Sequence, residues 1–587
     1  MKSIWIIVLI LATLNNTVCG SNAQASGSSG ARIKEFTIAL HQNADGVQKL
    51  HNTILNEISN PKSANYGSYL SPEEVGQVVG APESDRAKVM QYMENNSFDC
   101  VDNYDAIKCS GPITTIDRVF KTKTKRFSYP SGGYVMTSIV PYTVPHGLPI
   151  AFIDGICNSP YALYDSNHKR IRPSMDSASN VDPGMVTREV VSRMYGLYPT
   201  FSGSNVSVCA VEFFASKYGD GFSNRSLIAD QKANGVPANP IPPERTIGNL
   251  RNPDTESSLD VQTMYWAASD AELWYETSDN WMYQWANDFA NRRVNPEVVS
   301  LSWGWNELDQ CSLVKCLNET SRQYISRANI EFSKIVARGT TIVVAAGDAG
   351  SPGRTNEGCG SSMNDGYWNH INPVFPGGSP WVLSVGATYV TQSDNSVEYQ
   401  TQVCTGNNRC AVGVDEAGTT FSETGWTSGS GFTHWDNTPS WQSSQVASYL
   451  SSGVRLPDSK YFNAKGRAYP DIAGFGHNCL INMGGAFQPV DGTSCASPVI
   501  AGGIANLNAF QKSRGKPILG FANPLIYKAF SDSPSAFYDV TRGNSACTEM
   551  TCCNHQFGFE ATKGWDPISG VGTPNFEALK RWLVHNT

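Results

Sequence analysis

Apolar and polar side chains begin to alternate at Arg32–Leu40, where the run IKEFTIAL predicts a half-buried strand. A helical pattern follows over Gly46–Glu57, and Ser71-Pro-Glu-Glu-Val75 has the form of a capped helix start. Short strands and helices continue to about Tyr164, which predicts an α+β unit over residues 32–165. The stretch from His168 to Pro183 is polar with few apolar anchors, so residues 166–185 are expected to form an exposed linker open to proteolysis. Beyond it the period switches repeatedly. Apolar strands are predicted at Val206–Phe213, Val298–Leu301, Thr341–Ala346 and Trp381–Val385, and helices at Leu259–Ala268, Ser321–Arg338 and Cys495–Gln511. Apolar strands alternating with helices of that length predict an α/β unit over residues 186–587, a parallel sheet with helices on both faces.

Composition narrows the class. A chain of 587 residues with 40% hydrophobic and 16% charged residues is globular, and a net charge of −8 lacks the basic footprint of a nucleic-acid binder. Lys2, the apolar run Ile4–Leu14 and the small residues around Cys19-Gly20 make residues 1–20 a secretory signal peptide, and no later run is long enough to cross a membrane. The cysteines agree with an oxidising compartment: Cys100/Cys109, Cys311/Cys316, Cys404/Cys410 and the cluster Cys547, Cys552 and Cys553 are close in sequence. Sequons at Asn95, Asn205, Asn224 and Asn318 fit the same route.

Three segments carry candidate chemistry. In Asp491-Gly-Thr-Ser-Cys-Ala-Ser-Pro498, a glycine turn delivers Ser494 to the start of an apolar helix, where terminal N–H groups favour developing negative charge. A serine nucleophile needs a base, and none of the nine histidines sits in a suitable signature. Carboxylates are better placed. Glu256 and Asp260 stand four apart and project from one helix face, where partial burial would make them share a proton. Asp348, in Gly347-Asp-Ala-Gly350, closes an apolar strand at the end where open α/β sheets bind ligands. When protonated it can donate to an oxyanion; when ionised it cannot.

These segments together resemble the sedolisins, the serine-carboxyl peptidases, in the branch similar to tripeptidyl-peptidase 1. The resemblance rests on Glu256-Ser-Ser-Leu-Asp260, Ala345-Ala-Gly-Asp-Ala-Gly350 and Gly492-Thr-Ser494 through Pro498. Ser302-Trp-Gly304, Pro373-Val-Phe-Pro376, Ser384–Thr388, Arg467–Asp471 and Tyr66–Glu74 support it, so it covers nearly the whole chain. It implies a subtilisin-like fold behind an activation (pro) domain, with Ser494 attacking, Glu256 taking its proton, Asp260 orienting Glu256 and Asp348 stabilising the oxyanion. It also implies one calcium ion near the C-terminus, held by the carboxylates of Asp539 and Asp566 and the carbonyls of Val540, Thr562 and Gly564. Such ligands suit a hard cation. Thr562 stands where the family pattern has glycine, and Asp491 and Ala349 depart from it beside the catalytic positions.

The expected protein is a monomeric zymogen of an acid-acting peptidase whose partners are peptide substrates and its own propeptide, with no nucleic acid and no membrane. Acid is expected to loosen carboxylate contacts at the propeptide interface and to protonate Asp348. Release of tripeptides from free N-termini and internal cutting are both open, as are a histidine-dependent subtilisin and an inactive binding relative. A lysosomal or other acidic compartment is expected, with the extracellular space as the alternative.

Overall fold

Alternate residues of the strand Ser207–Phe213 feed two different cores, which is what a strand buried on both faces must do. Val208 and Ala210 pack with Val499 and Ile500, whereas Cys209 and Val211 pack with Trp285 and Phe332. In this computed structural model, which describes residues 33–128, 134–157, 185–197, 205–213, 219–314, 316, 319–354, 371–392, 403–404, 410–411, 414–553 and 557–587, that strand is central to a twisted sheet. From one edge the sheet runs Val414–Gly418, Leu383–Gln392, Thr341–Ala345, Val298–Leu301, Ser207–Phe213, Glu272–Ser278 and Thr246–Ile247, with Ile472–Phe475 also pairing to Leu383–Gln392. All pairings are parallel except that of Val414–Gly418. The subtilisin-like architecture implied by the sequence is the one observed. The signal peptide, nearly all of the linker, Asn318 and the Cys404 and Cys410 side chains lie outside the described residues.

Helices cover both faces. Thr255–Met264 and Thr493–Ser513 lie on one, Met282–Asn291 and Ser321–Ala337 on the other. The helix predicted at Leu259–Ala268 begins four residues earlier, because the Asp254 side chain accepts the Ser257 N–H and caps it. The helix predicted at Cys495–Gln511 begins at Thr493, after Gly492 at φ 144°. Pro498 is therefore in its second turn, and the Ser494 carbonyl receives no bond from residue 498.

Residues 33–157 build a four-stranded antiparallel sheet in the order Asp99–Asp102, Ala106–Pro112, Ile33–Leu40 and Ile150–Asp154, with helices against it. The predicted start at Ser71 is a capping box: Ser71 accepts the Glu74 N–H and Glu74 accepts the Ser71 N–H. This unit docks on the larger one through a shared apolar core, with Leu50, Ile54, Val75 and Val79 packed among Phe289, Tyr324, Phe332 and Phe521. Within that contact Asp105, fully buried, pairs with Lys334 Nζ at 2.8 Å and Arg327 Nη2 at 3.2 Å, both on the Ser321–Ala337 helix. Arg327 also donates to the Leu40 and Asp105 carbonyls. Asp154 is a second buried acid at the contact, accepting N–H groups from Gly155 and from Gln284 in the first turns of Met282–Asn291.

Candidate active site

The strand Thr341–Ala345 ends in a turn made by Gly347 at φ 105° and Gly350 at φ 58°, conformations that favour glycine. That turn presents Asp348 to the N-terminus of Thr493–Ser513. Asp348 Oδ1 accepts the Thr493 N–H at 2.8 Å and stands 2.7 Å from Thr493 Oγ1, while Gly347 N–H donates to Thr493 Oγ1 at 3.2 Å. Asp348 and Ser494 line one cavity with Ser302, Trp303, Trp305 and Arg354, and no histidine among the described residues lines it. Ser494 is 2% exposed, a hydroxyl at a helix start in the wall of that cavity.

The acid pair lies on the helix alongside. Glu256 and Asp260 are both buried in Thr255–Met264, which packs against Thr493–Ser513. The packing is close enough that a Cβ on Gly502 would sit 2.3 Å from the Met264 carbonyl oxygen, and Asn506 Nδ2 donates to the Ala267 carbonyl. On the sheet side, the Ser300 and Ser497 hydroxyls meet at 3.0 Å, tying Thr493–Ser513 to Val298–Leu301.

A fourth acid completes the cluster, and sequence reasoning missed it. Glu212, fully buried near the end of Ser207–Phe213, accepts the Trp303 indole N–H at 2.6 Å. Burial pushes its carboxyl well above the usual carboxylate range, and the charges of Asp260, Glu256 and Asp254 push the same way. Glu212 thus feels the charges of the acid pair while it holds Trp303 in the cavity wall. The available signal was one acid inside the apolar run Val-Cys-Ala-Val-Glu-Phe, a place where an unpaired charge is costly. Asp254 is pushed to about 7, chiefly by burial.

The two departures flanking the motif have separate fates. Asp491 Oδ1 stands 3.0 Å from His477 Nδ1 and accepts the Asn478 N–H at 2.8 Å, so it braces the strand pair leading into Gly492. Ala349 is buried behind Asp348, bridged to Thr427. Of the cysteine neighbours, Cys100–Cys109, Cys311–Cys316 and Cys547–Cys552 are bonded. A further bond, Cys479–Cys495, joins the residue after Ser494 to the strand Cys479–Met483; their sequence distance had hidden it.

Near the C-terminus, Asp566 is fully buried. Its Oδ2 accepts the Thr562 N–H at 2.8 Å, and its Oδ1 accepts those of Ile568 and Ser569 at 2.9 Å. Burial outweighs these bonds and pushes its carboxyl to about 7, with the Asp539 charge adding to the rise. Asp539 Oδ2 accepts the Gly564 N–H at 3.0 Å, and its Oδ1 is buried without a hydrogen-bond partner. Among the described residues no cluster of three or more His, Cys, Asp or Glu could hold a metal. A buried acid and a half-buried one that feel each other's charge, the latter with an orphaned oxygen, do fit a single oxygen-seeking cation.

Comparison with known proteins follows this geometry. Residues 20–158 match the pro-kumamolisin activation domain and residues 246–518 match the subtilase family. The chain is 36% identical to physarolisin of Physarum polycephalum over 97% of both chains. It is 29% identical to tripeptidyl-peptidase 1 of Homo sapiens, over 94% of this chain and 91% of that protein. Among solved structures, Pseudomonas sedolisin, a serine-carboxyl proteinase complexed with two molecules of pseudo-iodotyrostatin, matches with a TM-score of 0.51 at 22% identity, over 69% of this chain and 100% of that one.

Proposed function

The chain belongs to the sedolisin family of serine-carboxyl peptidases, and on that premise we propose that it is a secreted zymogen that hydrolyses peptide bonds in acid through an acyl-enzyme on Ser494. Ser494 Oγ attacks the scissile carbonyl while Glu256 takes its proton; Asp260 orients Glu256, and Glu212 with Trp303 anchors the pair. Protonated Asp348 donates to the oxyanion, and Glu256 returns the proton to the leaving amine. The observation that carries this reading is the Asp348–Thr493 contact, which sets a carboxyl beside the serine in a cavity that no histidine among the described residues lines. A carboxyl that must stay protonated limits activity to acid.

Residues 32–165 act as the inhibitory propeptide, residues 166–185 hold the processing site, and residues 186–587 form the catalytic unit, working as a monomer in a lysosomal or other acidic compartment. Asp539 and Asp566, with the carbonyls of Val540, Thr562 and Gly564, hold one calcium ion that supplies charge neutralisation to the C-terminal loop. Likeness to tripeptidyl-peptidase 1 favours release of tripeptides from free N-termini. Comparing one peptide with a free and an acetylated N-terminus tests this: loss of cleavage on acetylation supports it, and equal cleavage makes the enzyme an endopeptidase. Ser494→Ala is expected to abolish turnover with the fold intact, and activity retained in that variant would reassign the nucleophile. A pH optimum above about 7 would refute the acid mechanism.

A further inference from the structure

Among the described residues lining the Ser494 cavity, Arg354 is the one cation. Its Nη2 stands 3.9 Å from Asp348 Oδ2, on the side of the carboxyl opposite Thr493. The guanidinium is held there from behind. Its Nε and Nη2 donate to Glu549 Oε1 at 3.1 and 2.7 Å, and all three side chains are no more than 16% exposed. Glu549 belongs to the short loop closed by Cys547–Cys552, so the anchor comes from an element remote in sequence and covalently tied. Among the described residues, the other elements packed here contribute no competing cation to the cavity. Thr493–Ser513 brings its positive N-terminal end and the Thr493 donors, and the acid helix and the Glu212 strand bring only carboxyls.

We propose that Arg354, restrained by Glu549, is a positioning residue that sets the charge state of Asp348 and through it the upper pH limit of hydrolysis. A cation at this distance favours ionised Asp348, the form that cannot donate to an oxyanion. Glu549 moderates the effect by sharing the guanidinium. The pair thus acts as a bias on the oxyanion donor: Arg354 lowers the pH at which it fails, and Glu549 raises it. The inference rests on the reading of Asp348 as a proton-holding donor.

The test is the pH profile of kcat/KM for the processed full-length protein on a fluorogenic peptide. Arg354→Gln is expected to move the alkaline limb up by about one pH unit, and Glu549→Gln to move it down. Arg354→Lys keeps the charge and is expected to keep the wild-type limb. Thermal melting at neutral pH confirms that each variant is folded. An alkaline limb that does not move in Arg354→Gln, or that moves in the same direction in Arg354→Gln and Glu549→Gln, overturns the proposal. Asp348→Ala, which leaves no side-chain donor at this position, separates the two levels. If it retains wild-type rates, the reading of Asp348 itself is wrong; if it is inactive while Arg354→Gln leaves the limb in place, only the role of Arg354 fails.

Discussion

Removing the Asp105 carboxylate should weaken docking of the N-terminal unit about a hundredfold, and without that change acid alone should not release it. Lys334 and Arg327 hold the Asp105 carboxyl down to about 2 from its ordinary 3.8, although burial opposes them. At about 1.4 kcal/mol per unit, nearly two units on a fully buried group correspond to about 2 kcal/mol. Truncation also strands two buried cations beside Glu331 alone, so the total loss is about 3 kcal/mol or more. The sign of the pH dependence follows. Asp105 has a depressed value, so its contribution is present above the ordinary carboxylate range and disappears only as pH falls through about 2. Burial pushes Asp154 and Glu331 to about 7, so they hold protons while docked. If undocking returns them to ordinary values, the docked form binds more protons between about pH 4 and 7, and acid strengthens the contact there. On these values acid is expected to hold this contact, against the expectation that acid loosens it, so release is expected to need cleavage of the linker first. The assay uses Ser494→Ala, which cannot process itself, with the linker cut by an added protease and the products resolved by gel filtration at about pH 4.5. The N-terminal unit is expected to co-elute, and to separate when Asp105→Ala is added. Separation in Ser494→Ala alone would refute the reasoning.

Glu212→Gln keeps the shape but removes the carboxyl's charge and proton exchange beside Asp260; kcat is expected to fall tenfold or more, with little change in melting temperature. Gly502→Val places a side chain against the Met264 carbonyl, and should cost about 1–3 kcal/mol in denaturant unfolding and lower kcat by shifting the acid helix from Ser494. Chelation is expected to lower the melting temperature at neutral pH, where Asp539 and Asp566 would be left charged together, and Asp566→Asn should abolish that sensitivity.

The parts of the fold governed by local periodicity were legible. Val298–Leu301 matches its predicted bounds, and Ser321–Ala337 differs from its prediction by one residue, because uninterrupted apolar runs leave little choice of face. Helix starts were less so. The acid helix was placed late because its first turn, Thr-Glu-Ser-Ser, is polar yet buried against other acids, a state that pattern alone does not announce. Ser494, Asp348, Glu256 and Asp260 stood out because each has a spacing or turn signature. Glu212, Glu549 and Arg354 have none, since their meaning comes from neighbours far along the chain. Cys479–Cys495 was obscured for the same reason, its partners being separated by 16 positions while nearer candidates existed.

The buried charges under the N-terminal unit have a second consequence once that unit departs. Arg327 and Lys334 would then be taken up by water, and returning to the docked state would require stripping that hydration from both at once. During folding the same groups are sequestered as the chain collapses, with both partners on one polypeptide at high effective concentration. After the linker is cut that advantage is gone. A contact made cheaply in one covalent chain becomes hard to remake between two, so maturation runs as a ratchet whose reverse step is opposed by solvent.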